Sequence, residues 1–445
     1  MRIQLSDHFT YKKLIRFTLP TIAMMIVSSV YGVVDGFFVS NFAGKTPFAA
    51  INLIMPYIMI FSTVGFIFGT GGSAIVAKTL GEGKKEEANR YFSLFVYVTF
   101  FLGVVFGIVG MALVRPVAVL LGAEGKLLED AVLYTRLVLA VLPFNTLMFL
   151  FQAFFSTAEK PQLGLVTTIS SGVMNILLDA TLVLFLPQEY KLAGAAVATA
   201  MSQVVGGVIP LVYFFRKNES LLRIGKTKFD GRIVLRAAAN GSSEFMTNVS
   251  MSVVGMLYNV QLMAYGGENG VAAYGVMMYV SMIFSALFIG YSIGVAPIFS
   301  FHDGAENYEE LKGLLKRSVV IIGAFSLGMV VAGEILAVPL AKLFVGYDEA
   351  LMEMTVSGFR IFAISFLFMG YAIFGSGFFT ALNDGITSAV ISFLRTLVFQ
   401  VAAVLLLPSL IGIHGIWYSI IVAEGMAMVL SAFFVYIKRN QHYYL

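Results

Sequence analysis

The sequence predicts an all-α membrane protein with twelve transmembrane helices in two six-helix lobes, related by a pseudo-twofold axis, around a central cavity. Three observations support this fold class. First, 59% of the 445 residues are hydrophobic and 12% are charged, whereas soluble proteins carry about 25% charged residues. Second, the apolar residues form long runs separated by charged loops. Third, the two halves of the chain resemble each other in weak but ordered motifs.

Each apolar run reaches the roughly 20 residues that a helix needs to cross a bilayer. In the first half the predicted spans are 14–40, 48–77, 91–114, 131–157, 163–186 and 192–214. In the second half they are 233–264, 271–300, 317–340, 354–381, 386–408 and 412–437. The first run is too long for a signal peptide and shows no small-residue cleavage site, so we expect span 1 to remain in the mature protein.

The distribution of Lys and Arg predicts that both termini lie in the cytoplasm. With the N-terminus placed there, 21 of the 29 Lys and Arg residues fall in cytoplasmic segments and 5 in the loops on the other side. Cytoplasmic loops of membrane proteins carry this excess of positive charge. The sequence therefore predicts a multi-pass protein of the plasma membrane, which is the inner membrane in a bacterial cell.

An internal repeat predicts how the spans are arranged. The basic connector 216–232 separates an N-terminal lobe, 1–215, from a C-terminal lobe, 233–445. Weak motifs recur across it at an offset of about 220–224 residues; for example, Gly81 matches Gly304, and YTR at 134–136 matches GFR at 358–360. Because six helices per lobe is an even number, both repeats have the same topology, and the pseudo-twofold axis lies along the membrane normal.

Several function classes find no support in the sequence. The chain has no cysteine, which excludes disulfides, thiol catalysis and cysteine metal sites. GKT occurs at 44–46 and 225–227, but Val39 and Ser220 stand where a phosphate-binding loop needs glycine. The four histidines are scattered, and the basic residues lie in loops between apolar spans. We therefore expect no enzyme, no nucleic-acid partner, and no cofactor other than a transported ion.

Three polar residues inside the N-terminal spans predict a cation site. Asp35 lies towards the far end of span 1, and a carboxylate in hydrocarbon costs at least ~3 kcal/mol unless it faces a cavity or a partner. Asn175 and Asp179 are four residues apart, on one face of span 5. Their oxygens suit a proton or a hard cation, so Na⁺ is a possible metal at Asp35, Asn175 and Asp179. The alternative is that Asp35 only reaches water at the end of its helix.

Thr199 in span 6 is a candidate fourth member of this site. Its sequence context, GAAVATAMSQ, places a hydroxyl within an apolar helix. A threonine in such a helix can instead bond its own backbone. Both interpretations remain open on the sequence alone.

The C-terminal lobe carries a different set of charges. Glu244 in span 7, Arg395 in span 11 and Glu424 in span 12 lie inside apolar runs. An unpaired arginine there would be costly, so Arg395 should pair with Glu244 or with Glu424. Such a pair could be structural or could bind substrate. Thr396 and Gln400 align with Asn175 and Asp179 in the repeat, which predicts that the two lobes have specialised.

These motifs resemble the multidrug and toxic compound extrusion (MATE) family. The similar segments include YGVVDGFFVSNFAG in span 1, YTRLVLAVLPF in span 4, NILLD in span 5 and GAAVATAMSQ in span 6, and they continue through GVAPIFSFHDGAEN in span 8 to AEG in span 12. The resemblance covers nearly the full length. It is greatest to the bacterial branch whose N-terminal lobe carries aspartates in helices 1 and 5.

The resemblance implies a secondary active antiporter that exports amphipathic, often cationic, small molecules in exchange for H⁺ or Na⁺. It also implies that Asp35, Asn175, Asp179 and Thr199 form the coupling site, and we expect a functional monomer in the lipid bilayer. The chain departs from the family's pattern in span 7, which opens ANGSSE without a proline. That departure puts a second coupling site in the C-terminal lobe in doubt, although Glu244 could serve.

The alternative function is a flippase for lipid-linked cell-wall or polysaccharide precursors, from the wider superfamily with this architecture. Such proteins favour a strongly cationic cavity that meets pyrophosphate. The charges inside the predicted spans are mainly acidic, and Arg395 is the one basic residue near the middle of a span. The sequence therefore favours the antiporter.

Overall fold

The computed structural model describes residues 3–442, and within this range it is helical without strands. The helices of the first half are α1 (Tyr11–Phe38), α2 (Lys45–Gly81), α3 (Lys85–Leu120), α4 (Gly125–Leu139), α5 (Leu142–Thr157), α6 (Pro161–Leu178) and α7 (Lys191–Phe215). Those that follow are α8 (Gly231–Asn240), α9 (Ser242–Gly304), α10 (Tyr308–Val345), α11 (Glu349–Ala363), α12 (Phe366–Ala381), α13 (Gly385–Phe393), α14 (Gln400–Ile411), α15 (Ile413–Ile437) and α16 (Arg439–His442).

Twelve membrane crossings follow from these helices. Nine are long and apolar enough to cross a bilayer, and the bent pairs α4–α5 and α11–α12 raise the number to 11 among residues 3–442. The 63-residue helix α9 contains two crossings, because Gly267 has φ of 58° and ψ of −154°, a conformation outside the helical region that glycine adopts without steric cost. The predicted fold class and number of spans are confirmed.

The crossings of spans 4 and 10 are bent, and Pro143 lies in the first turn of α5, beside the bend of span 4. α4 and α5 meet at 60°, and α11 and α12 meet at 49°. Arg136 and Arg360, the matched arginines of the repeat, lie in the last turns of α4 and α11. Both bends thus occupy equivalent positions in the two lobes.

The start of span 7 is a second difference from the predicted boundaries. The span was predicted from residue 233, but residues 231–240 form the separate helix α8, and the crossing begins at Ser242 after Gly241. The Asp230 side chain caps α8 by accepting hydrogen bonds from the backbone of Arg232 and Ile233. Arg232 and Arg236 are exposed and Ala237 is buried, so this short helix is amphipathic.

The pseudo-twofold relation is visible where the two lobes meet. A Cβ atom on Gly81 of α2 would lie 2.0 Å from the Phe301 carbonyl oxygen of α9, and one on Gly304 of α9 would lie 2.1 Å from the Lys78 carbonyl oxygen of α2. Both pairs are related by the same offset of 223 residues. The ammonium of Lys78 also bonds the Asp303 carboxylate at 2.7 Å.

This contact lies on the terminal face, which we define as the face that carries the start of α1, the end of α15, the connector and the turns 82–84, 158–160, 305–307 and 382–384. The segment 3–10 closes part of it. The backbone N–H of Leu5 donates to Glu159 Oε1 of the N-terminal lobe at 2.7 Å, and that of Phe9 donates to Glu310 Oε1 of the C-terminal lobe at 2.9 Å. The side chains of Leu5 and Phe9 are fully buried.

Candidate functional site

The polar residues predicted in the N-terminal lobe come from three neighbouring helices. Asp35 lies near the end of α1, Asn175 in the last turn of α6 and Thr199 in the middle of α7. Asp179 begins a π-helical turn, Asp179–Val183, that continues α6, and α1 likewise continues into a π-helical turn, Val39–Ala43. π turns inside helices occur frequently at functional sites.

The structure brings all four predicted residues together around the Asp35 carboxylate. Asn175 Nδ2 donates to Asp35 Oδ1 at 3.5 Å, and the Thr199 hydroxyl donates to the same oxygen at 3.3 Å. Both distances are at the long end of the hydrogen-bond range. Thr199 therefore points to Asp35 rather than to its own backbone, and the half-buried Asp35 carboxylate has two side-chain partners in neighbouring helices.

The second carboxylate of the site, Asp179, is buried without a donor. Its side chain is 0% exposed, and its carboxyl group neighbours that of Asp35. No N–H or O–H group of residues 3–442 donates to either of its oxygens, and Asn175 Oδ1 also lacks a partner. Two ionised carboxylates cannot hydrogen-bond each other, because neither has a proton to donate.

This arrangement fits a cation that the two carboxylates share. A proton between Asp35 and Asp179 would supply the missing donor. A monovalent metal ion such as Na⁺ would instead take the unpartnered oxygens of Asp179 and Asn175 as ligands, since hard cations prefer carboxylate and carbonyl oxygens. No arginine or lysine of residues 3–442 forms an ion pair with Asp35 or Asp179, so no basic side chain there neutralises the two carboxylates. The site is therefore suited to either ion.

Tyr134 adjoins this site, although no polar pattern in the sequence singles it out. Its side chain in α4 is 2% exposed, and its hydroxyl lies close to the Thr199 and Asp35 side chains. The recurrence of YTR and GFR marked this position in the sequence.

The positions in the C-terminal lobe that match Asp35 and Asp179 hold Tyr258 and Gln400 instead of carboxylates. The Tyr258 hydroxyl, in the position that matches Asp35 at the repeat offset of 223, donates to Gln400 Oε1 at 2.7 Å. Tyr274 stacks on Tyr258 with ring centroids 5.2 Å apart. Gln400 was the predicted counterpart of Asp179, so the structure places a neutral hydrogen bond where the N-terminal lobe has its two acids.

Arg395 pairs with Glu424, one of the two partners predicted for it. Its Nε and Nη2 atoms donate to the two carboxylate oxygens at 2.8 and 2.9 Å. Glu244 does not take part. Since the crossing begins at Ser242 rather than at 233, Glu244 lies in the first turn of α9, half-buried and without an ion-pair partner among residues 3–442.

Comparison with protein families gives a match over both halves of the chain. The model of the MatE family matches residues 20–181 and 245–405, which is more than half of the chain. A curated relative, the multidrug export protein MepA of Staphylococcus haemolyticus, is 26% identical over 436 residues, which cover 97% of this chain and 94% of that protein. MepA of Staphylococcus saprophyticus is 24% identical over 438 residues, with the same coverage.

Solved structures share the fold over nearly the whole length. An outward-facing multidrug resistance MATE family transporter superposes with a TM-score of 0.92 and 22% sequence identity, covering 98% of each chain. A transporter of the wider superfamily from Pyrococcus furiosus, described as having a binding pocket of reversed polarity, gives a TM-score of 0.91 at 22% identity, covering 98% of this chain and 97% of that one.

Proposed function

Because the chain belongs to the MatE family of membrane transporters, we propose that it is a secondary active multidrug efflux antiporter. It exports amphipathic, often cationic, compounds in exchange for H⁺ or Na⁺, with the ion bound at Asp35 and Asp179. The observation that carries this proposal is the pair of neighbouring carboxylates in the N-terminal lobe, one of which has no donor. The export of drugs is supported by the MepA relatives, which are multidrug export proteins.

The proposed orientation places the terminal face in the cytoplasm. It is supported by the excess of Lys and Arg there, 21 of 29. The close backbone contacts of Gly81 and Gly304 lie on that face, so the described conformation is closed towards the cytoplasm. Away from the terminal face, α1 and α9 are less closely packed at Gly32, where an added Cβ would come no nearer than 3.9 Å to Met282.

The proposed cycle uses the ion to change the affinity for substrate. An ion that reaches Asp35 and Asp179 from outside would reshape the end of α1, lower the affinity for the bound compound and release it outward. The returning carrier would release the ion to the cytoplasm. Exchange of one H⁺ for one monovalent cation moves no net charge, so a pH gradient alone would supply ~1.4 kcal/mol per pH unit, or about a tenfold substrate gradient.

The alternative, flipping of lipid-linked precursors, gains no support from the interior charges. Arg395 is the one arginine that the sequence places near the middle of a span, and Glu424 occupies both its Nε and its Nη2. The positive charge of Arg395, which would have to bind the pyrophosphate, is therefore already neutralised by Glu424. The site of unpaired charge, at Asp35 and Asp179, would repel an anion.

The test is transport of a fluorescent cationic dye in proteoliposomes, driven in turn by a pH gradient and by a Na⁺ gradient. We expect one gradient to drive export, and Asp35→Asn to abolish it. Glu353→Gln is the matched control, because it converts an exposed carboxylate outside the site to an amide. Gradient-driven transport that survives Asp35→Asn would contradict the site and direct attention to Glu244.

A further inference from the structure

A basic groove lies at the terminal face of the N-terminal lobe, away from the ion site. It forms between the start of α6 and the end of α7 and has a volume of about 490 Å³. Its lining consists of Lys160, Ile209, Val212, Tyr213, Arg216, Lys217, Asn218 and Glu219. The three cations and one carboxylate give it a net formal charge of +2.

The three cations of this groove are not neutralised by the fold. Arg216 and Lys217 are exposed and Lys160 is half-buried, and none of them forms an ion pair with a carboxylate of residues 3–442. They come from two separate places in the sequence, the α5–α6 turn and the end of α7. Three cations held together against their mutual repulsion suit an anion that is not part of the chain.

The apolar side of the groove runs along the membrane-facing surfaces of the same two helices. Ile209 and Val212 of α7 line it. On α6, Val166, Ile169 and Val173 are 58%, 44% and 50% exposed, and their spacing puts them on one face of the helix. Cations at the membrane surface above a strip of exposed aliphatic side chains match a phospholipid, whose phosphate and acyl chains are arranged in the same order.

We propose that this groove binds the headgroup of an anionic phospholipid from the cytoplasmic leaflet, with its phosphate on Lys160, Arg216 and Lys217 and its acyl chains along α6 and α7. Basic pockets between transmembrane helices on this side of a membrane bind anionic headgroups. Of the bilayer phospholipids, an anionic one complements the net charge of the groove, whereas a zwitterionic one does not. The proposal uses the cytoplasmic orientation of the terminal face but not the transport activity.

The test measures lipid binding to the purified full-length protein in detergent. The probe is acyl-chain-labelled phosphatidylglycerol, followed by fluorescence anisotropy, with unlabelled phosphatidylglycerol, phosphatidylcholine and glycerol phosphate as competitors. For the wild type we expect competition by phosphatidylglycerol only. In the triple variant Lys160→Gln, Arg216→Gln, Lys217→Gln, the affinity for the probe should fall by at least about tenfold.

The matched control is the triple variant Lys85→Gln, Lys312→Gln, Lys316→Gln, which removes three exposed cations elsewhere on the terminal face. It should bind the probe like the wild type, and both triple variants should keep the wild-type circular dichroism and melting temperature. Equal losses in both variants, or competition by phosphatidylcholine as strong as by phosphatidylglycerol, would overturn the proposal. Competition by glycerol phosphate at the strength of the lipid would overturn it as well, because the acyl chains would then contribute nothing.

Discussion

Gly81 and Gly304 occupy matching positions in the two repeats, and each contacts the backbone of the helix that carries the other. An added Cβ would lie 2.0 Å from a carbonyl oxygen at Gly81 and 2.1 Å from one at Gly304. No side-chain rotation relieves a contact with backbone, so even alanine forces α2 and α9 apart. The terminal face is closed because these two residues have no side chains.

Gly81→Ala and Gly304→Ala should therefore open the terminal face. The measurement is the distance between spin labels at Glu86 and Glu309, which are exposed at the starts of α3 and α10. The chain has no native cysteine that would interfere with labelling. We expect a longer distance in both variants and no change for Gly328→Ala, where an added Cβ meets nothing within 4 Å. An unchanged distribution in the Gly81 and Gly304 variants would show that the contact does not hold the face closed.

Arg395→Gln should destabilise the protein more than the double variant Arg395→Gln, Glu424→Gln. The single change leaves the Glu424 carboxylate, 3% exposed, without its partner, and breaking a buried pair in this way costs about 3–5 kcal/mol. The double change removes both charges. Melting temperatures in detergent would show the order, with the double variant nearer to the wild type. A double variant as unstable as the single one would mean that the guanidinium stabilises α13–α15 by contacts other than the pair.

Tyr258→Phe should leave ion coupling intact, unlike Asp35→Asn. The change removes the 2.7 Å hydrogen bond to Gln400, worth about 1 kcal/mol, and lowers the melting temperature slightly. Since this bond is neutral, dye transport should keep its dependence on the driving gradient. Tyr279→Phe, at an exposed hydroxyl, controls for the loss of a phenol. A changed number of ions per substrate in Tyr258→Phe would show that the C-terminal lobe also couples.

The stability that Asp384 contributes should depend on pH at the acid end. Burial raises the pKa of its carboxyl group, but hydrogen bonds from Lys438 and Thr387 outweigh this effect and hold the pKa below the ordinary 3.8. The contribution is therefore complete above that value and is lost as the pH falls through the lower folded-state pKa. The melting temperatures of wild type and Asp384→Asn should differ at pH 6 and converge in strong acid. A difference that stays constant down to strong acid would contradict this origin.

The number of spans, and the grouping of Asn175 and Thr199 around Asp35, could be predicted from the sequence because both depend on local features. Hydropathy marks each crossing, and Asp35, Asn175 and Asp179 were conspicuous as polar groups in apolar runs. An unpaired arginine inside a span is costly, so the sequence predicts that Arg395 has an acidic partner. Whether that partner is Glu244 or Glu424 depends on the three-dimensional arrangement of the helices.

Other features could not be predicted, because no local pattern encodes them. The bend after Leu139 is the exception, because Pro143 in the first turn of α5 has no N–H to bond the carbonyl of Leu139. The bend after Ala363 has neither proline nor glycine at its junction residues 364–365, and hydropathy runs through it without a break. α8 was joined to span 7 because its own residues Ile233, Val234 and Leu235 are apolar. The bond between Tyr258 and Gln400 links residues 142 positions apart, a distance that no helical period can specify.

The π-helical turn at Asp179–Val183 has a further consequence, which concerns register. A π turn holds about one residue more than an α turn, and one residue corresponds to a rotation of about 100° about the helix axis. If this extra residue passed along the helix, Asp179 would swing away from Asp35, while the rest of α6 would keep its place against its neighbours. One extra residue would thus let Asp179 rotate away from Asp35 and back again while the helix stays intact.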